Sequence, residues 1–576
     1  MKGRVASHTW GSHDPRQLAP WVALAFLMLG SAALILWLGR GLTFFRDEWI
    51  FVLYRDGHDP VNFLSSHAGH FSLWPIFFFL TLFKGIGLDH YEIYRAAAIP
   101  MHLLCALLLY LIARRRVGDV MALAPAAILL FLGSSWMDIL WPFQVGFTGA
   151  IAFGLGAILA LERDDLRGDV AACLLLLVAI GWSGAALPFI PGVAVGLFIR
   201  KRMWRRAWVF AMPAAAYLGW AAKYGEQGVD YMGNLPHVPE YVAREVGAGL
   251  SGVTALSGIR GLSQSLTLIL VCVVLLAVLI RLVRLRRSSP LGWEALAMGL
   301  AFWMLTALAR AQDGDPMANR YIYPSVVFLL LLAVGLAPNL AESGITVRSP
   351  RYYWACGVVL AIAIAVAAFN ISDFQAGRKD LRFTSNVTSA ELGALELARS
   401  TVAPRYSPPL NDFFGVPSAA YFAATDRYGS SPADNPNEIA SSPEYARRRA
   451  DRVSLQALRV RLRPVPNGIR LADRPMPVPG TPRLSVRRSG RCLLLRGRGL
   501  SPGAVLPRSG LVIRGPGSSE AAISLKRFAK TSVGPIPSSV ASNGSFLRIA
   551  IDAERARPWR FQVALRGAPV LLCASA

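Results

Sequence analysis

The chain has 576 residues, 54% of them hydrophobic and only 16% charged, with a mean hydropathy of +0.42. A soluble domain carries about 25% charge, so a wholly soluble protein, a disordered chain, a collagen and a coiled coil are excluded. The net charge of +25 does not point to nucleic acid, because much of the basic excess sits in short clusters between apolar runs and in the tail.

In chain order, residues 1–20 read as a cytoplasmic tail and Trp21 to about Gly39 as a first membrane anchor. No small-residue cleavage site follows it, so it is not read as a removed signal peptide. Further apolar runs lie near 93–113, 119–135, 142–161, 170–183, 186–199, 207–223, 265–283, 291–309, 321–337 and 353–369. By the ~20-residue criterion this predicts a polytopic α-helical membrane protein with about eleven transmembrane helices. The fifth and sixth runs are short enough to form one broken hairpin.

Basic residues set the orientation. Arg114-Arg115-Arg116, Arg200-Lys201-Arg202 with Arg205-Arg206, and Arg281, Arg284, Arg286 and Arg287 fall on one side with the N-terminus. The positive-inside rule makes that side cytoplasmic. The run Phe71 to Gly87 would invert every later loop if it crossed, so it is predicted to lie laterally at the outer interface. The predicted membrane domain is 21–369, with a long outer loop at 40–92.

Eleven spans put the rest outside the cytoplasm. Residues 370–452 read as a mixed linker region in which Ser389 opens a short capped helix. Residues 453–576 carry short alternating runs at Leu455–Leu462, Arg491–Leu495, Leu511–Ile513, Phe546–Ile551 and Arg560–Leu565, which predict a β-sandwich. Such a domain either binds carbohydrate or an acceptor, or is a stabilising cap. Cys105, Cys173, Cys272 and Cys356 lie in apolar runs, whereas Cys492 and Cys573 lie in the tail, where an oxidising compartment would let them pair.

The outer loop 40–92 holds the densest chemistry. It contains Phe45-Arg46-Asp47-Glu48-Trp49 and Ser66-His67-Ala68-Gly69-His70, and four of the eight histidines, His58, His67, His70 and His90. Two adjacent carboxylates just after a span fit a general base at the membrane surface, or equally a pair that caps an interfacial helix. On a helix, His67 and His70 would share a face and, with Asp47 or Glu48, could complete a divalent metal site; otherwise they hydrogen-bond or face a phosphate. Asp138 stands in an apolar second outer loop between Trp136 and Trp141, either in a site shared with the first loop or as a lone surface acid in an aromatic belt. Arg320 opens a span from the outer face, where its guanidinium either clamps a lipid-linked phosphate or snorkels to headgroups. Asp313 and Asp315 are a weak metal signal. No Walker A loop, dinucleotide fingerprint or serine elbow occurs, so energy for a transfer would come from an activated substrate.

The order of these features resembles a family. An Asp-Glu pair follows the first span, then a His-led apolar lateral helix ending in Phe83-Lys84-Gly85-Ile86-Gly87, then Arg95-Ala-Ala-Ala-Ile-Pro100 opening a span closed by Arg114-Arg115-Arg116. This resembles the GT-C superfamily of integral membrane glycosyltransferases, which includes protein O-mannosyltransferases and lipid A aminoarabinose transferases. The resemblance covers roughly 40–165 well, the Arg320-Tyr321 loop in part and the tail loosely. It implies a polyprenyl-phosphate sugar donor, Asp47 as catalytic base with Glu48 beside it, and Asp138 lining the same cavity. The donor phosphate is then expected at Arg320, His67, His70 and Arg46, the acceptor being a glycan, lipid or protein hydroxyl. Where many relatives have His-Pro-Pro, this chain has His70-Phe71-Ser72, which leaves the acceptor class open. The competing readings are a transporter or flippase, or a non-catalytic scaffold, for lipid-linked or cell-wall glycan.

Overall fold

Apolar stretches rich in Leu, Ala, Val and Ile, with basic residues at their ends, become the longest helices of the computed structural model. It describes residues 15–225, 230–254, 263–285, 290–312, 314–337, 349–410, 415–465, 469–514, 521–536, 546–549, 551 and 557–576. Among these, seven helices are long and apolar enough to cross a membrane: Leu18–Leu38, Tyr91–Val117, Pro142–Leu161, Ser265–Arg284, Pro290–Arg310, Asn319–Leu336 and Pro350–Glu396. Leu123–Leu130 and Gly133–Leu140, bent by 45°, make an eighth if counted as one span. The chain is a multi-pass membrane protein.

The difference from eleven spans lies in length. The runs at 170–183, 186–199 and 207–223 are helical, but as Leu166–Ile180, Phe189–Ile199 and Trp208–Tyr224, of 15, 11 and 17 residues. At 1.5 Å per residue these reach roughly 22, 16 and 26 Å, short of the ~30 Å hydrocarbon core. Leu73–Ile86, the run expected to lie laterally, is likewise a short apolar helix of 14 residues.

The chain divides into two compact units. The first comprises Met1–Arg40, Arg55–Leu82 and Glu92–Asp380; the second comprises Gly41–Tyr54, Phe83–Tyr91 and Leu381–Ala576. The division differs from the expected boundary at 369/370. Pro350–Glu396 is one continuous helix of 47 residues. The shift to polar residues near 370 marks a change of surroundings and not a helix end, because no proline interrupts the run after Pro350. Ser389 is therefore inside a helix and not at a cap.

In the first unit, buried Arg95 ties two helix C-termini together. Its Nε donates to Leu140 O (3.1 Å) and its Nη1 to Gly39 O (2.7 Å). A cation suits carbonyls left open at a helix end. The break in the bent pair is held by two helices: Ser134 N donates to Asn370 Oδ1 (2.7 Å) on the long helix, and Asn319 Nδ2, at the start of the helix Asn319–Leu336, donates to Ser134 O (2.9 Å).

The second unit ends in eight strands: β1 Arg463–Pro464, β2 Leu484–Ser489, β3 Cys492–Leu500, β4 Ala504–Val505, β5 Leu511–Arg514, β6 Ala521–Lys526, β7 Phe546–Ile549 and β8 Arg560–Ala574. All are hydrogen-bonded into one antiparallel sheet of order β1-β7-β5-β8-β3-β2, with β4 and β6 also on β8. A β-sandwich was expected; the 15-residue β8 hydrogen-bonds along its length to β3, β4, β5 and β6 and joins the strands into one sheet. Its first half pairs with β6 and its last residues with β5. The change of partner coincides with a register shift at Gly497, opposite Gly567, both with positive φ (125° and 141°). Of Leu455–Leu462, expected as a strand, Leu455–Ala457 closes the helix Glu444–Ala457, Leu458 and Arg459 form its exit turn, and Val460–Leu462 lead into β1. Ala457 extends the helical spacing of Ala446, Ala450 and Val453, which outweighs the short alternation over that turn.

Cys492 and Cys573 are directly opposed in β3 and β8, with Cα atoms 4.4 Å apart, and form a disulfide. Removing it, as Cys573→Ser, is expected to destabilise the second unit by about 2–5 kcal/mol. The check is thermal unfolding of parent and variant with and without reductant; equal melting in all four conditions would refute a structural role.

Candidate functional site

The expected site residues fall in both units. Arg46, Asp47 and Glu48 belong to the second, and His67, His70, Asp138 and Arg320 to the first.

The Asp-Glu pair is split in role by its local fold. Phe44 is buried and packs edge-on against Trp49, Phe83 and Tyr91, at 5.9, 5.9 and 4.9 Å. This aromatic anchor forces a tight turn, and Arg46 takes a left-handed φ of 46°, a conformation costing a non-glycine residue roughly 1–2 kcal/mol. Glu48 opens the helix Glu48–Tyr54 and is fully buried. Its carboxylate accepts from Phe45 N (2.8 Å) and from the Tyr91 hydroxyl (2.8 and 3.0 Å). Glu48 thus does what a capping acid does. Asp47 is half-buried at the turn, and Arg46 lies 4.8 Å from the Phe45 ring.

In the first unit, His67 and His70 do not share a helix face. Ala68 and Gly69 both have positive φ (49° and 82°), the mark of a type I′ turn. His67 N donates to His70 O (3.1 Å) and His70 N to His67 O (2.9 Å). The rings stack edge-on against Phe143 (5.4 Å) and Phe147 (6.0 Å), one helical turn apart. Arg310, last residue of its helix, donates through Nη2 to Ala68 O (3.1 Å) and pins the turn.

A cavity of about 300 Å³ opens beside this turn, lined by His70, Arg310, Tyr217, Trp220, Tyr231 and Tyr321, among others. Arg320 lies behind Tyr321, with its guanidinium 5.0 Å from the ring and Nη2 3.3 Å from the hydroxyl. Arg320 acts electrostatically on both His70 and Asp138. Asp138, expected in an outer loop and alternatively as a lone surface acid, sits on the short helix Trp136–Leu140 and is 4% exposed. Ser135 Oγ donates to its Oδ2 (2.6 Å), and its Oδ1 has no hydrogen-bond partner among the described residues.

Burial, reinforced by Arg310 and Arg320, pulls the His70 imidazole down to about 4; burial, with Arg55 and His70 nearby, does the same to His67. Both rings are therefore neutral at pH 7. Because the unfolded histidines titrate near 6.5, the unfolded chain takes up protons first, and stability is expected to fall as pH drops from about 6.5 to about 4. Thermal unfolding of the parent and of His70→Gln between pH 7.5 and 4.5 checks this. The variant should show a shallower decline, and a flat parent profile would contradict it.

Among the described residues no group of three or more His, Cys, Asp or Glu is placed to hold a metal ion. His67 and His70, paired across a hairpin turn, do not share the helix face that the divalent-site reading used, and no step is derived through a metal. Asp313 lies outside the described residues; Asp315 Oδ1 accepts from Met317 N (2.9 Å) within its own turn. His58 and His90 sit at the surface beside Asp56 and Asp89.

Sequence reasoning missed three groups. Arg310 lines the cavity but was not singled out in the sequence. Thr306, one turn before it, also lines the cavity and donates to Glu245 Oε2 (2.6 Å). Glu245 is 1% exposed, and burial pushes its carboxyl well above the usual range. Its signal was an acid four residues after Tyr241, on the buried face of the helix Val238–Thr254.

No family model matches the sequence, and no curated protein matches it. Among solved structures, the chain is similar to ArnT from Cupriavidus metallidurans. The apo form aligns at 14% identity with a TM-score of 0.41, over 74% of this chain and 91% of that one. The form bound to undecaprenyl phosphate aligns at 15% identity with a TM-score of 0.39, over 67% and 82%.

Proposed function

We propose that the chain is a GT-C-type glycosyltransferase that moves a sugar from a polyprenyl-phosphate donor to a hydroxyl acceptor at the outer face of the membrane. The observation that carries this reading is the cavity beside the His67–His70 turn. It combines a guanidinium for phosphate oxygens, a neutral imidazole able to donate one hydrogen bond, and aromatic walls for a sugar's apolar faces. The multi-pass helices supply a lipid-accessible setting, and the Cys492–Cys573 disulfide supports an oxidising compartment for the second unit. The order of motifs around Asp47 supports the same class.

In this mechanism Asp47 accepts the proton of the acceptor hydroxyl as its oxygen attacks the anomeric carbon. The bond to the donor phosphate breaks in the same displacement, and the anomeric centre inverts. The leaving phosphate needs little acid assistance; Arg310, with Arg320 behind it, stabilises its charge, and His70 donates to it. Asp138 orients this end of the pocket through Arg320, and Glu48 fixes the turn that presents Asp47. Arg46 stands next to Asp47 in the same turn.

Arg310→Gln is expected to raise the KM for a polyprenyl-phosphate sugar about 10- to 100-fold, the loss of a charge-assisted hydrogen bond of ~1.5–3 kcal/mol. The measurement is transfer of radiolabelled sugar in proteoliposomes with donor varied. Movement of lipid-linked glycan across the bilayer with no new glycosidic bond would replace the transferase reading with a transporter.

A further inference from the structure

We propose that the second unit carries a separate binding cleft for an anionic polysaccharide, one bearing carboxylates or phosphodiesters. A cleft of about 590 Å³ lies between the helix Glu444–Ala457 with its exit turn and the segment Ser532–Ile536, and Arg448, Arg452, Arg459 and Arg461 all line it. All four are exposed, and among the described residues none has a salt-bridge partner. Glu391, the acid whose charge Arg452 feels, is occupied by Arg449 (2.6 Å) and by Leu410 N (2.9 Å).

The arrangement is held by the fold and is not four free side chains on a flat face. Arg448, Arg452 and Gln456 are spaced i, i+4, i+8 and form one stripe of the helix. The helix then ends in a Schellman turn: Val460 N donates to Leu455 O (3.0 Å) and Arg459 N to Gln456 O (3.0 Å). The left-handed position of that turn, where glycine is favoured, is Arg459, with φ 50°. The turn thereby delivers a third guanidinium to the stripe. The opposite wall is tied to the same helix. Buried Asp451 accepts from the backbone N–H groups of Arg527, Phe528 and Ala529 at 2.9–3.0 Å, and Glu444 accepts from Lys530 N (2.8 Å).

Four like charges on one concave wall repel one another, and a ligand with repeated negative charge relieves that repulsion. The rest of the lining selects within anions. Leu455, Val533, Pro535 and Ile536 offer apolar contact to the C–H faces of sugar rings, and Gln456 and Ser532 offer neutral hydrogen bonds. Among the described residues no aromatic ring lines the cleft. The cleft lies wholly within the second unit and goes beyond the transfer reaction, so its test reads binding alone.

The experiment uses the full chain in zwitterionic nanodiscs and three probes: polygalacturonate, a phosphomannan and neutral dextran. At least one anionic polymer should bind, with affinity falling about tenfold or more between low and high salt, and dextran should not. Arg452→Gln/Arg459→Gln should weaken binding about tenfold or more. Arg487→Gln/Arg488→Gln, which removes equal charge from the exposed strand β2, should leave it within about twofold. If the first pair misfolds, judged by loss of the Cys492–Cys573 bond, Arg448→Gln/Arg461→Gln carries the same expectation. Unchanged binding by the cleft variant, an equal loss in the β2 variant, equal binding of dextran, or binding of no anionic polymer overturns the proposal. Displacement of the bound polymer by phosphatidylglycerol vesicles, with the same variant insensitive to both, reassigns the cleft to lipid headgroups and also overturns it.

Discussion

Replacing Asp47 by Asn is expected to lower the rate of sugar transfer by about 10²–10⁴-fold, the usual contribution of a positioned general base. The donor KM should change little, because the substitution removes proton acceptance and keeps the shape of the side chain. The turn should survive, since it is held by the Glu48 carboxylate on Phe45 N and the Tyr91 hydroxyl and by the aromatic packing of Phe44. Glu48→Gln makes the contrast. It weakens two charge-assisted hydrogen bonds in a fully buried position and should lower both thermal stability and rate. Single-turnover transfer of labelled sugar, with melting measured on the same samples, separates the two. A fully active Asp47→Asn enzyme removes Asp47 from the mechanism.

The second large effect is on folding. Gly133→Val should abolish the folded first unit, because even a Cβ at this position would stand 1.8 Å from the backbone oxygen of Asn370 and 2.7 Å from its carbonyl carbon. Overpacking in ordinary cores costs about 1–3 kcal/mol. Here the obstacle is backbone of the 47-residue helix, which cannot rotate aside, so the penalty lies at or above the top of that range. Gly219→Ala is the control. Nothing lies within 4 Å of a Cβ there, in the middle of the helix Trp208–Tyr224, and the change should be neutral or stabilise by about 0.5–1 kcal/mol. Yield and melting of detergent-purified protein decide between these outcomes. A stable Gly133→Val variant would mean that the bent pair does not pack against Asn370 as described.

Helix positions were legible because apolar runs bounded by arginines have one physical reading, and every predicted run is helical. Their number as crossings was not, since Phe189–Ile199 and Leu166–Ile180 are as apolar as spans but too short. That the last helix runs on past 370 to Glu396 was not legible, because polarity changes there and backbone conformation does not. The capping alternative for the Asp-Glu pair was legible, and Glu48 fills it by accepting from Phe45 N at the start of its helix. His67 and His70 looked helical from spacing alone. Only the positive φ of Ala68, which costs a non-glycine residue energy and has no sequence signature, turns them into a hairpin pair. Arg310 and Glu245 gain meaning from residues far along the chain, Ala68 and Thr306, and no local pattern announces that. Pairing of Cys492 with Cys573 was an open possibility until β3 and β8 put them opposite one another.

The placement of β8 bears on how the protein is made. Strands β3, β5 and β6 each hydrogen-bond to residues 560–574, which emerge from the ribosome after all of them. Until then their edges are open to pairing with other chains. A premature stop anywhere before β8 would therefore remove the common partner of β3, β4, β5 and β6, and not one strand alone.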